Sequence, residues 1–455
     1  MNFKGLLEPQ KSHAVKLLDS LYVNGVAADL SETGCGKSYV AAWIAKNLNV
    51  PVTIIAPKVV LNAWNNVLTE FDIKPHAVIN YEKLVRGNSE YLSFKNNCRI
   101  NGTDDYVFNL PKNGLVIIDE CHRCKGTKSC NSELLIALKK NNYKLLLLSA
   151  TAATSPLEMK AFGYATTLHN LYNFRNFAIN SGAYVAKYNW MKFDASSTKS
   201  IKAMSNIHTQ LFDNFGVASR MTRKMFKNVF PDNHILPECF DLGVNTDKIN
   251  RVYEVMELEL SKLEQKTTNY SEHHFAIMTK ARRKIELLKV PAIVESVIDL
   301  YEEGISPVIF VNYTDTVFAI NNLLQSTNSK FKDTIAHVVG GQSAKARQND
   351  VDDFQSDKKR IMIVNTAAGG VGLSLHDLNG NHPRHTIISP TWSAINMLQI
   401  FGRCHRALAK TPVTQKIFFA ANTIEQNICR NVKSKLSNLD VLNDNDLNIS
   451  LLLNF

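Results

Sequence analysis

The sequence predicts an α/β protein with two tandem parallel-sheet domains and a helical insertion between them. Apolar runs of strand length alternate with helical stretches before residue 155, and the same alternation returns after residue 304. The stretch between them is rich in helical and aromatic segments and lacks that strand rhythm. Strands that alternate with helices are typical of a parallel doubly wound sheet, whose ligand site lies along the carboxyl edge of the strands.

Length and composition agree with this organisation. A chain of 455 residues is too long for one ordinary core, and 45% hydrophobic with 20% charged residues indicates a folded globular protein. The predicted regions are a first domain at 1–155, a largely helical insertion or linker at 156–304, a second domain at 305–430 and a tail at 431–455.

Charge and cysteine usage narrow the class of protein. The net charge of +11 favours a polyanionic partner, because neutralising phosphates releases counterions. Eight cysteines are scattered without a pairing rhythm and the N-terminus lacks the apolar core of a signal peptide, so we expect reduced thiols in a cytoplasm. Apolar runs such as Leu145–Leu148 are far shorter than a membrane span, so no membrane partner is expected. Cys121, Cys124 and Cys130 lack a fourth ligand at a suitable spacing, which argues against zinc.

The first domain is predicted from four apolar strands and the helices that follow them. A helix begins at Gln10, behind Pro9, and leads into the first strand. The predicted strands are Gly25–Leu30, Val52–Pro57, Leu115–Asp119 and Tyr143–Ser149, with helices at Tyr39–Leu48 and around Trp64.

The stretch LSETGCGKSY has the composition of a phosphate-binding loop. Gly34 and Gly36 allow consecutive backbone N–H groups to face a phosphate, and Lys37 and Ser38 add a cation and a hydroxyl at a helix start. A glycine-rich turn without nucleotide is the alternative. The order of strand, loop and helix favours phosphate binding.

Asp119 and Glu120 end an apolar strand downstream of this loop. In such a pair, one carboxylate holds Mg²⁺ while the next orients and deprotonates the attacking water. Ser38 would give the metal a hydroxyl ligand, and Lys37 would neutralise the β and γ phosphates. An isolated acidic pair is more often a solvated strand end, but here a complete phosphate loop precedes it.

The insertion and the second domain follow. A long helical pattern over Ala276–Tyr301 is predicted to kink at Pro291. Basic residues of the insertion are expected to form either a junction-binding surface or a solvated helical face: Arg220, Arg223, Lys224, Arg282 and Arg283. Parallel-type strands are then predicted at Pro307–Asn312, Thr334–Val339, Arg360–Asn365, His385–Ser389 and Thr414–Ala420.

The stretch QIFGRCHR places Arg403 and Arg406 three residues apart on one face of a predicted helix. Both could meet the charge that develops on a phosphate during transfer, although a lone arginine pair is more often surface charge. The glycine-rich stretch NTAAGGVGLSL, after the strand that ends at Asn365, permits close backbone approach to a phosphate.

Taken in order, these motifs resemble those of superfamily 2 helicases and translocases. SETGCGKS, DECH, SAT, VIFVNYTDT, NTAAGGVGLSL and QxxGRxxR span most of the chain. INYEKL, DECHRCKG and PTWSAINMLQIFGRCHR resemble the Snf-type branch of double-stranded DNA translocases, whereas SAT is closer to unwinding helicases. As a bare motor, the chain resembles small phage-type fork-remodelling or branch-migration helicases. The resemblance implies two tandem RecA-like domains.

The resemblance also implies a role for each matching residue. Gln10 would read adenine, Asp119 and Ser38 would bind magnesium, and Glu120 would be the general base. The catalytic set would also include Lys37, with Arg403 and Arg406 as fingers supplied across the cleft. The remaining ATP contacts would be Thr33, Gly34, Cys35 and Gly36. The coupling residues would be His122, Ser149, Ala150, Thr151 and Gln399. The nucleic-acid contacts would be Lys58, Tyr81, Asn312 and Thr366, with core packing as the alternative for Tyr81.

The expected function is therefore that of an ATP- and Mg²⁺-dependent DNA helicase or translocase that remodels branched DNA in recombination, repair or replication. The expected state is a monomer in a cytoplasm, that of the bacterial host if a phage encodes it. Two alternatives stay open. One is an RNA helicase of related fold, and the other is an ATP-gated clamp that binds DNA without moving.

Overall fold

The computed structural model describes residues 3–86, 89–95, 105–186, 191–194, 197–226, 229–240, 242–264, 270–369, 373–391, 393–423 and 425. The described residues form two compact units, one up to residue 226 and the other from residue 229 onwards. The predicted tail at 431–455 lies outside the described residues, as do positions 370–372 of the second glycine-rich loop.

The first unit contains eight helices and ten strands among its described residues. Its helices are α1 (Glu8–Asn24), α2 (Lys37–Leu48), α3 (Leu61–Glu70), α4 (Tyr81–Val85), α5 (Cys130–Lys140), α6 (Lys160–Ala165), α7 (Phe174–Asn180) and α8 (Thr198–Thr209). Its strands are β1 (Val26–Asp29), β2 (Val52–Ala56), β3 (Ala77–Asn80), β4 (Leu92–Phe94), β5 (Tyr106–Phe108), β6 (Leu115–Asp119), β7 (Lys144–Leu148), β8 (Ala183–Val185), β9 (Met191–Phe193) and β10 (Ala218–Ser219).

Six of these strands form one parallel sheet in the order β10, β1, β7, β6, β2, β3. Strands β1 and β2 are buried along their whole length, as a sheet covered on both faces requires. The remaining strands pair as two antiparallel hairpins, β4 with β5 and β8 with β9. The loop after β1, the acidic pair after β6 and the SAT triplet after β7 all follow the carboxyl ends of neighbouring strands.

The second unit has the same kind of architecture. Its helices are α9 (Val244–Glu264), α10 (Tyr270–Leu288), α11 (Val290–Glu302), α12 (Thr314–Thr327), α13 (Ala344–Gln355), α14 (Thr366–Gly369) and α15 (Ala394–Cys404). Its strands are β11 (Asn233–Phe240), β12 (Ser306–Val311), β13 (Ile335–Val338), β14 (Ile361–Asn365), β15 (Arg384–Ile388) and β16 (Val413–Ala420). The strands form one parallel sheet in the order β11, β16, β15, β12, β14, β13. Apolar side chains of α11 and α12 pack against this sheet in one buried cluster. The two parallel sheets confirm the predicted fold class.

The stretch 156–304, predicted to be largely helical and without a regular strand rhythm, contributes strands to both parallel sheets. β10 joins the first sheet beside β1, and β11 joins the second sheet beside β16. The stretch is therefore divided between the two units and gives a strand to each sheet. β10 is too short to leave a periodic pattern, and β11 contains Pro237, which a strand tolerates at the edge of a sheet.

Pro291 separates two helices instead of kinking one. α10 ends at Leu288 and α11 begins at Val290, so Pro291 occupies the second position of α11. A proline in the first turn of a helix costs no hydrogen bond, because the N–H it lacks would have no partner within the helix. The single kinked helix predicted from the pattern is therefore wrong.

Within the described ranges, we find no helix with the length and apolar character needed to cross a membrane.

Candidate active site

The phosphate-binding loop lies between β1 and α2, whose first residue is Lys37. Gly34 and Gly36 have φ values of 89° and 81°, which only glycine adopts without strain. The Lys37 ammonium donates hydrogen bonds to the carbonyl oxygens of Ser31, at 2.9 Å, and Glu32, at 3.1 Å. Ser38 follows in the first turn of α2, where backbone N–H groups are available to an anion. The loop thus has the geometry that a chain of phosphates requires.

Gln10 supports this loop from α1. Its Nε2 donates to the carbonyl oxygen of Cys35 at 2.9 Å, and its Oε1 accepts from the N–H of Leu7 at 2.8 Å. A Cβ at Gly36 would overlap Gln10 Nε2, so the absence of a side chain at Gly36 makes this contact possible. Burial raises the pKa of the Cys35 thiol to about 12, so this residue is a neutral part of the loop. The structure gives Gln10 a supporting role, and its reading of adenine stays a prediction.

A buried polar network, which the sequence analysis missed, lies behind the loop. Asp29, at the end of β1, lies 3.1 Å from His13 Nε2 and accepts the N–H of Ser31 at 2.9 Å. Burial by itself raises the pKa of Asp29, but the charge and hydrogen bond of His13, the charge of Lys37 and the hydrogen bond from Ser31 together lower it. The Nδ1 of His13 contacts Ser219 Oγ at 2.8 Å, which ties α1 to β10.

Asp119 is fixed by two donors at the end of β6. The indole N–H of Trp64 donates to its Oδ2 at 2.8 Å, and the N–H of Glu120 donates to its Oδ1 at 2.9 Å. Burial raises the pKa of Asp119 to about 6, with a further contribution from the neighbouring charge of Glu120. Two half-buried carboxylates beside the Lys37 loop form a donor set that suits a divalent cation, and Ser38 offers a hydroxyl ligand. The residues therefore fit Mg²⁺.

Glu120 has a left-handed backbone conformation, with φ 53° and ψ 50°. Such a conformation is strained for a residue with a side chain and is found most often at functional sites. The Nδ1 of His122 lies 3.2 Å from Glu120 Oε2 and 3.2 Å from Ser149 Oγ. Ser149 Oγ also accepts the N–H of Thr151 at 3.1 Å, and Ala150 lies between these two residues. The acidic pair and the SAT triplet are thus connected through His122.

Of the four residues assigned to nucleic acid, one is exposed in this structure. Lys58 lies on a surface depression at the carboxyl edge of the first sheet, which is also lined by Asn80, Lys83, Arg86 and Arg123. These four neighbours were not predicted, because they come from two segments of the chain that are separate from that of Lys58.

The other three residues assigned to nucleic acid are buried or half-buried in this structure. Tyr81 is fully buried and donates its hydroxyl to the carbonyl oxygen of Asp119 at 2.7 Å, so core packing is the correct alternative. Asn312 donates its amide to Glu286 Oε1 at 2.8 Å and to the carbonyl oxygen of Pro390 at 3.0 Å. Thr366 is buried. The side chains of Tyr81 and Thr366 are therefore inaccessible in this structure, and that of Asn312 is half-buried.

In the second unit, Arg403 and Arg406 converge on one carbonyl group. Arg403 Nη1 and Arg406 Nη2 donate to the carbonyl oxygen of Leu373 at 3.3 and 2.8 Å. The predicted common helix face is wrong, because α15 ends at Cys404 and Arg406 lies beyond it. Gln399 is buried within α15. The contacts on Leu373, rather than the helical spacing, bring the two arginines together.

The basic residues of the insertion do not form one exposed surface. Arg220 is buried and lies 3.6 Å from Glu32, and Arg223 donates to Thr33 in the phosphate-binding loop. Arg283 pairs with Asp315, and Arg282 is half-buried in the second unit. Of the five residues that the junction-binding hypothesis named, Lys224 and Arg283 are exposed. Neither predicted reading, a junction-binding surface or a solvated face, describes Arg220 and Arg223.

Comparison with known proteins gives matches to both halves of the chain. A family model described as type III restriction enzyme, res subunit, matches residues 30–154, and a model described as helicase conserved C-terminal domain matches residues 289–408. A protein of Acanthamoeba polyphaga mimivirus, whose name describes an ATP-dependent RNA helicase, L364, is 32% identical over 96% of this chain and 83% of its own length.

Two further relatives match shorter parts of the chain. ATP-dependent helicase fft3 of Schizosaccharomyces pombe is 25% identical over 34% of this chain and 16% of its own length. Switch 2 of Arabidopsis thaliana is 33% identical over 24% of this chain and 12% of its own length.

Proposed function

The chain belongs to the superfamily 2 helicases and has Snf-type features, and from this premise we propose that it is a DNA translocase that remodels forks and four-way junctions. The observation that carries the proposal is the connection from Glu120 through His122 to Ser149. Such a connection would let hydrolysis at the acidic pair alter the loop that follows β7. A protein that only binds nucleotide does not need it.

In the proposed reaction, ATP lies on the phosphate-binding loop with Lys37 against its β and γ phosphates. Glu120 orients the attacking water and takes its proton. Asp119 and Ser38 hold Mg²⁺, which when bound neutralises charge on the phosphate oxygens. For Arg403 and Arg406 we keep the finger role that the resemblance implies. Because both guanidinium groups donate to the carbonyl oxygen of Leu373, this role requires them to leave that contact.

The proposed DNA surface of the first unit is the basic depression around Lys58. Lys58, Lys83 and Arg86 could contact phosphates without reading bases, as a translocase that moves along any sequence requires. Arg123 already pairs with Glu82 of the same depression at 3.1 Å. The motifs that resemble the Snf-type branch of double-stranded DNA translocases favour DNA, and recombination, repair or replication in a cytoplasm is the proposed setting. We also propose that the protein is a monomer and that a phage encodes it.

A second candidate function is that of an RNA helicase. The name of the mimivirus relative, which matches nearly the whole chain, favours it. The two candidates share the ATP site and differ in the nucleic acid that stimulates it.

The experiment is a comparison of steady-state ATP hydrolysis by the wild type and Glu120→Gln. Each is measured alone and with single-stranded, duplex, forked and four-way-junction DNA, and with RNA. We expect strong stimulation by branched DNA, and turnover at least ~100-fold lower in Glu120→Gln with ATP binding retained, which is the usual scale of general-base effects. Glu303→Gln makes the same chemical change at an exposed position of the second unit and is the matched control.

Each other outcome contradicts a definite part of the proposal. Equal or better stimulation by RNA supports the second candidate. Hydrolysis that DNA stimulates, without strand displacement or translocation, supports an ATP-gated clamp. Near-normal turnover in Glu120→Gln removes Glu120 from its role, and hydrolysis that responds to no nucleic acid contradicts a nucleic-acid motor.

A further inference from the structure

The segment that follows β10 runs alongside the phosphate-binding loop. The N–H of Leu30 donates to the carbonyl oxygen of Ser219 at 2.9 Å, and the N–H of Glu32 donates to that of Met221 at 3.0 Å. In return, the N–H of Met221 donates to Ser31 Oγ at 2.9 Å. The pairing of β10 with β1 thus continues past the end of the sheet and into the loop itself.

Arg223 makes the last contacts of this segment with the loop. Its Nη2 donates to Thr33 Oγ1 at 2.7 Å and its Nε donates to the carbonyl oxygen of Thr33 at 3.1 Å. Its backbone N–H donates to Glu32 Oε2 at 2.7 Å, and Glu32 Oε1 lies 3.6 Å from Arg220. One guanidinium group therefore holds both the main chain and the side chain of the residue immediately before Gly34.

A loop that contains two glycines with positive φ needs such support. Glycine adopts many backbone conformations, so ordering Gly34 and Gly36 into one shape costs conformational entropy each time phosphate binds. A guanidinium group is charged at all ordinary pH values and presents its donors in a fixed plane, so its two contacts define the orientation of Thr33. The loop is then already in its binding shape before nucleotide arrives.

We propose that Arg223 is a positioning residue for ATP, which acts by holding Thr33 so that the loop from Gly34 to Ser38 keeps its phosphate-binding shape. This inference rests on the proposed function, since it takes ATP as the ligand. Arg223 lies in the stretch that the sequence analysis assigned to a junction-binding surface or a solvated face. Its position here assigns it to the nucleotide instead.

The test compares Arg223→Ala, Arg223→Lys and Thr33→Ala with Lys224→Ala. Lys224 is the exposed neighbour of Arg223, so Lys224→Ala removes the same charge from the same segment without touching the loop. Affinity for a fluorescent, non-hydrolysable ATP analogue is measured directly, together with KM for ATP, kcat and DNA affinity. Thermal unfolding confirms that each variant is folded.

We expect Arg223→Ala to weaken analogue binding and to raise KM for ATP by about tenfold, the scale of one lost charge-assisted contact, with kcat at saturating ATP and DNA affinity unchanged. Arg223→Lys should recover part of the lost affinity for the analogue, because lysine keeps the charge and donates from a single nitrogen. Arg223→Ala combined with Thr33→Ala should cost less than the two single losses together, because the two residues share one interaction. Lys224→Ala should bind as the wild type does.

Analogue binding by Arg223→Ala within twofold of the wild type would overturn the inference and leave the proposed function intact, as would additive losses in the double variant. If Arg223→Ala does not fold, Arg223→Lys and Thr33→Ala decide, because both must then weaken analogue binding without a change in DNA affinity. A wild-type protein that binds no ATP analogue would instead contradict the proposed function, and the inference with it.

Discussion

The indole N–H of Trp64 donates a hydrogen bond to Asp119 Oδ2 at 2.8 Å. Trp64 lies on α3, 55 residues before its partner, and nothing in the local pattern of α3 links it to a metal ligand. Burial and the charge of Glu120 raise the pKa of Asp119 to about 6, and the bond from Trp64 opposes this rise by stabilising the ionised carboxylate. A residue that belongs to the core of the first unit therefore helps to keep the Asp119 carboxylate ionised.

Trp64→Phe should increase the Mg²⁺ requirement of ATP hydrolysis by roughly 10-fold, the scale of losing a partner of a metal ligand. Mg²⁺ binds the ionised carboxylate, so its affinity falls as pH falls through the pKa of Asp119. Without the indole N–H the pKa of Asp119 rises above about 6, so the fall in Mg²⁺ affinity begins at a higher pH. Mg²⁺ titrations at pH 6 and pH 8 measure both effects. Trp43→Phe makes the same change at a buried ring that stacks on Phe3, and an equal effect there would contradict the assignment.

Gly36→Ala should abolish measurable ATP binding. A side chain at Gly36 would overlap Gln10 Nε2, and its φ of 81° costs a residue with a Cβ about 1–2 kcal/mol. Gly340→Ala is the control, because a Cβ there meets nothing within 4 Å. Isothermal titration with ATP, with thermal unfolding beside it, checks the expectation. Wild-type affinity in Gly36→Ala would mean that the loop does not need its present shape.

Ser149→Ala should lower strand displacement more than it lowers ATP hydrolysis. Ser149 Oγ contacts both His122 and the N–H of Thr151, so its loss breaks the connection between the acidic pair and the SAT triplet. We expect DNA-stimulated turnover within about threefold of the wild type and strand displacement lower by about tenfold, as for a buried hydrogen bond lost from a coupling element. Ser132→Ala removes a hydroxyl from an equally buried serine of α5. Parallel losses of both activities would contradict a coupling role.

The second unit should lose stability as pH falls from about 6.5 to about 4. Burial lowers the pKa of His376 and of His385 to about 4, from an ordinary value of 6.5. Between these values the two histidines bind more protons in the unfolded chain than in the folded one. Their contribution therefore decreases the free energy of unfolding as pH falls, and it does not change above about 6.5. For His385, the more buried of the two, the loss is roughly 1–3 kcal/mol.

Urea unfolding of the full chain at pH 7 and pH 5 measures this loss. His385→Gln removes one of the titrating histidines and should reduce the difference in stability between the two pH values. His234→Gln, at an exposed position of β11, should leave it unchanged. An identical pH dependence in His385→Gln and the wild type would contradict the assignment to His385.

The elements that the sequence predicted well are those whose signal is local. The strand over Leu115–Asp119 has the predicted bounds, because a buried parallel strand is a continuous apolar run that ends where polar residues reach the carboxyl edge of the sheet. The loop that ends at Lys37 and Ser38 was predicted for the same reason. Its residue types, order and spacing are all contained within one short stretch.

The sequence could not show which residues that are far apart along the chain contact each other. Arg223 and Thr33 are 190 residues apart, and no periodic pattern relates them. Tyr81 is an aromatic residue after a strand, and only the fold distinguishes a buried tyrosine bonded to Asp119 from one that faces nucleic acid. The converging arginines were predicted for an incorrect reason, since Leu373 and not a helix face brings Arg406 to Arg403.

Because β10 pairs with β1, both the synthesis of the chain and its truncation to fragments affect the first sheet. β1 precedes the phosphate-binding loop, yet one of its two neighbours comes from Ala218–Ser219, after seven intervening α-helices. A fragment that stops at residue 154, where the first family match ends, would leave the backbone groups along one side of β1 unpaired. Such an open edge recruits other chains. On the ribosome, the nascent first unit therefore remains open to aggregation until residue 219 has emerged, and an expression fragment that ends at residue 226 should stay in solution where a shorter one precipitates.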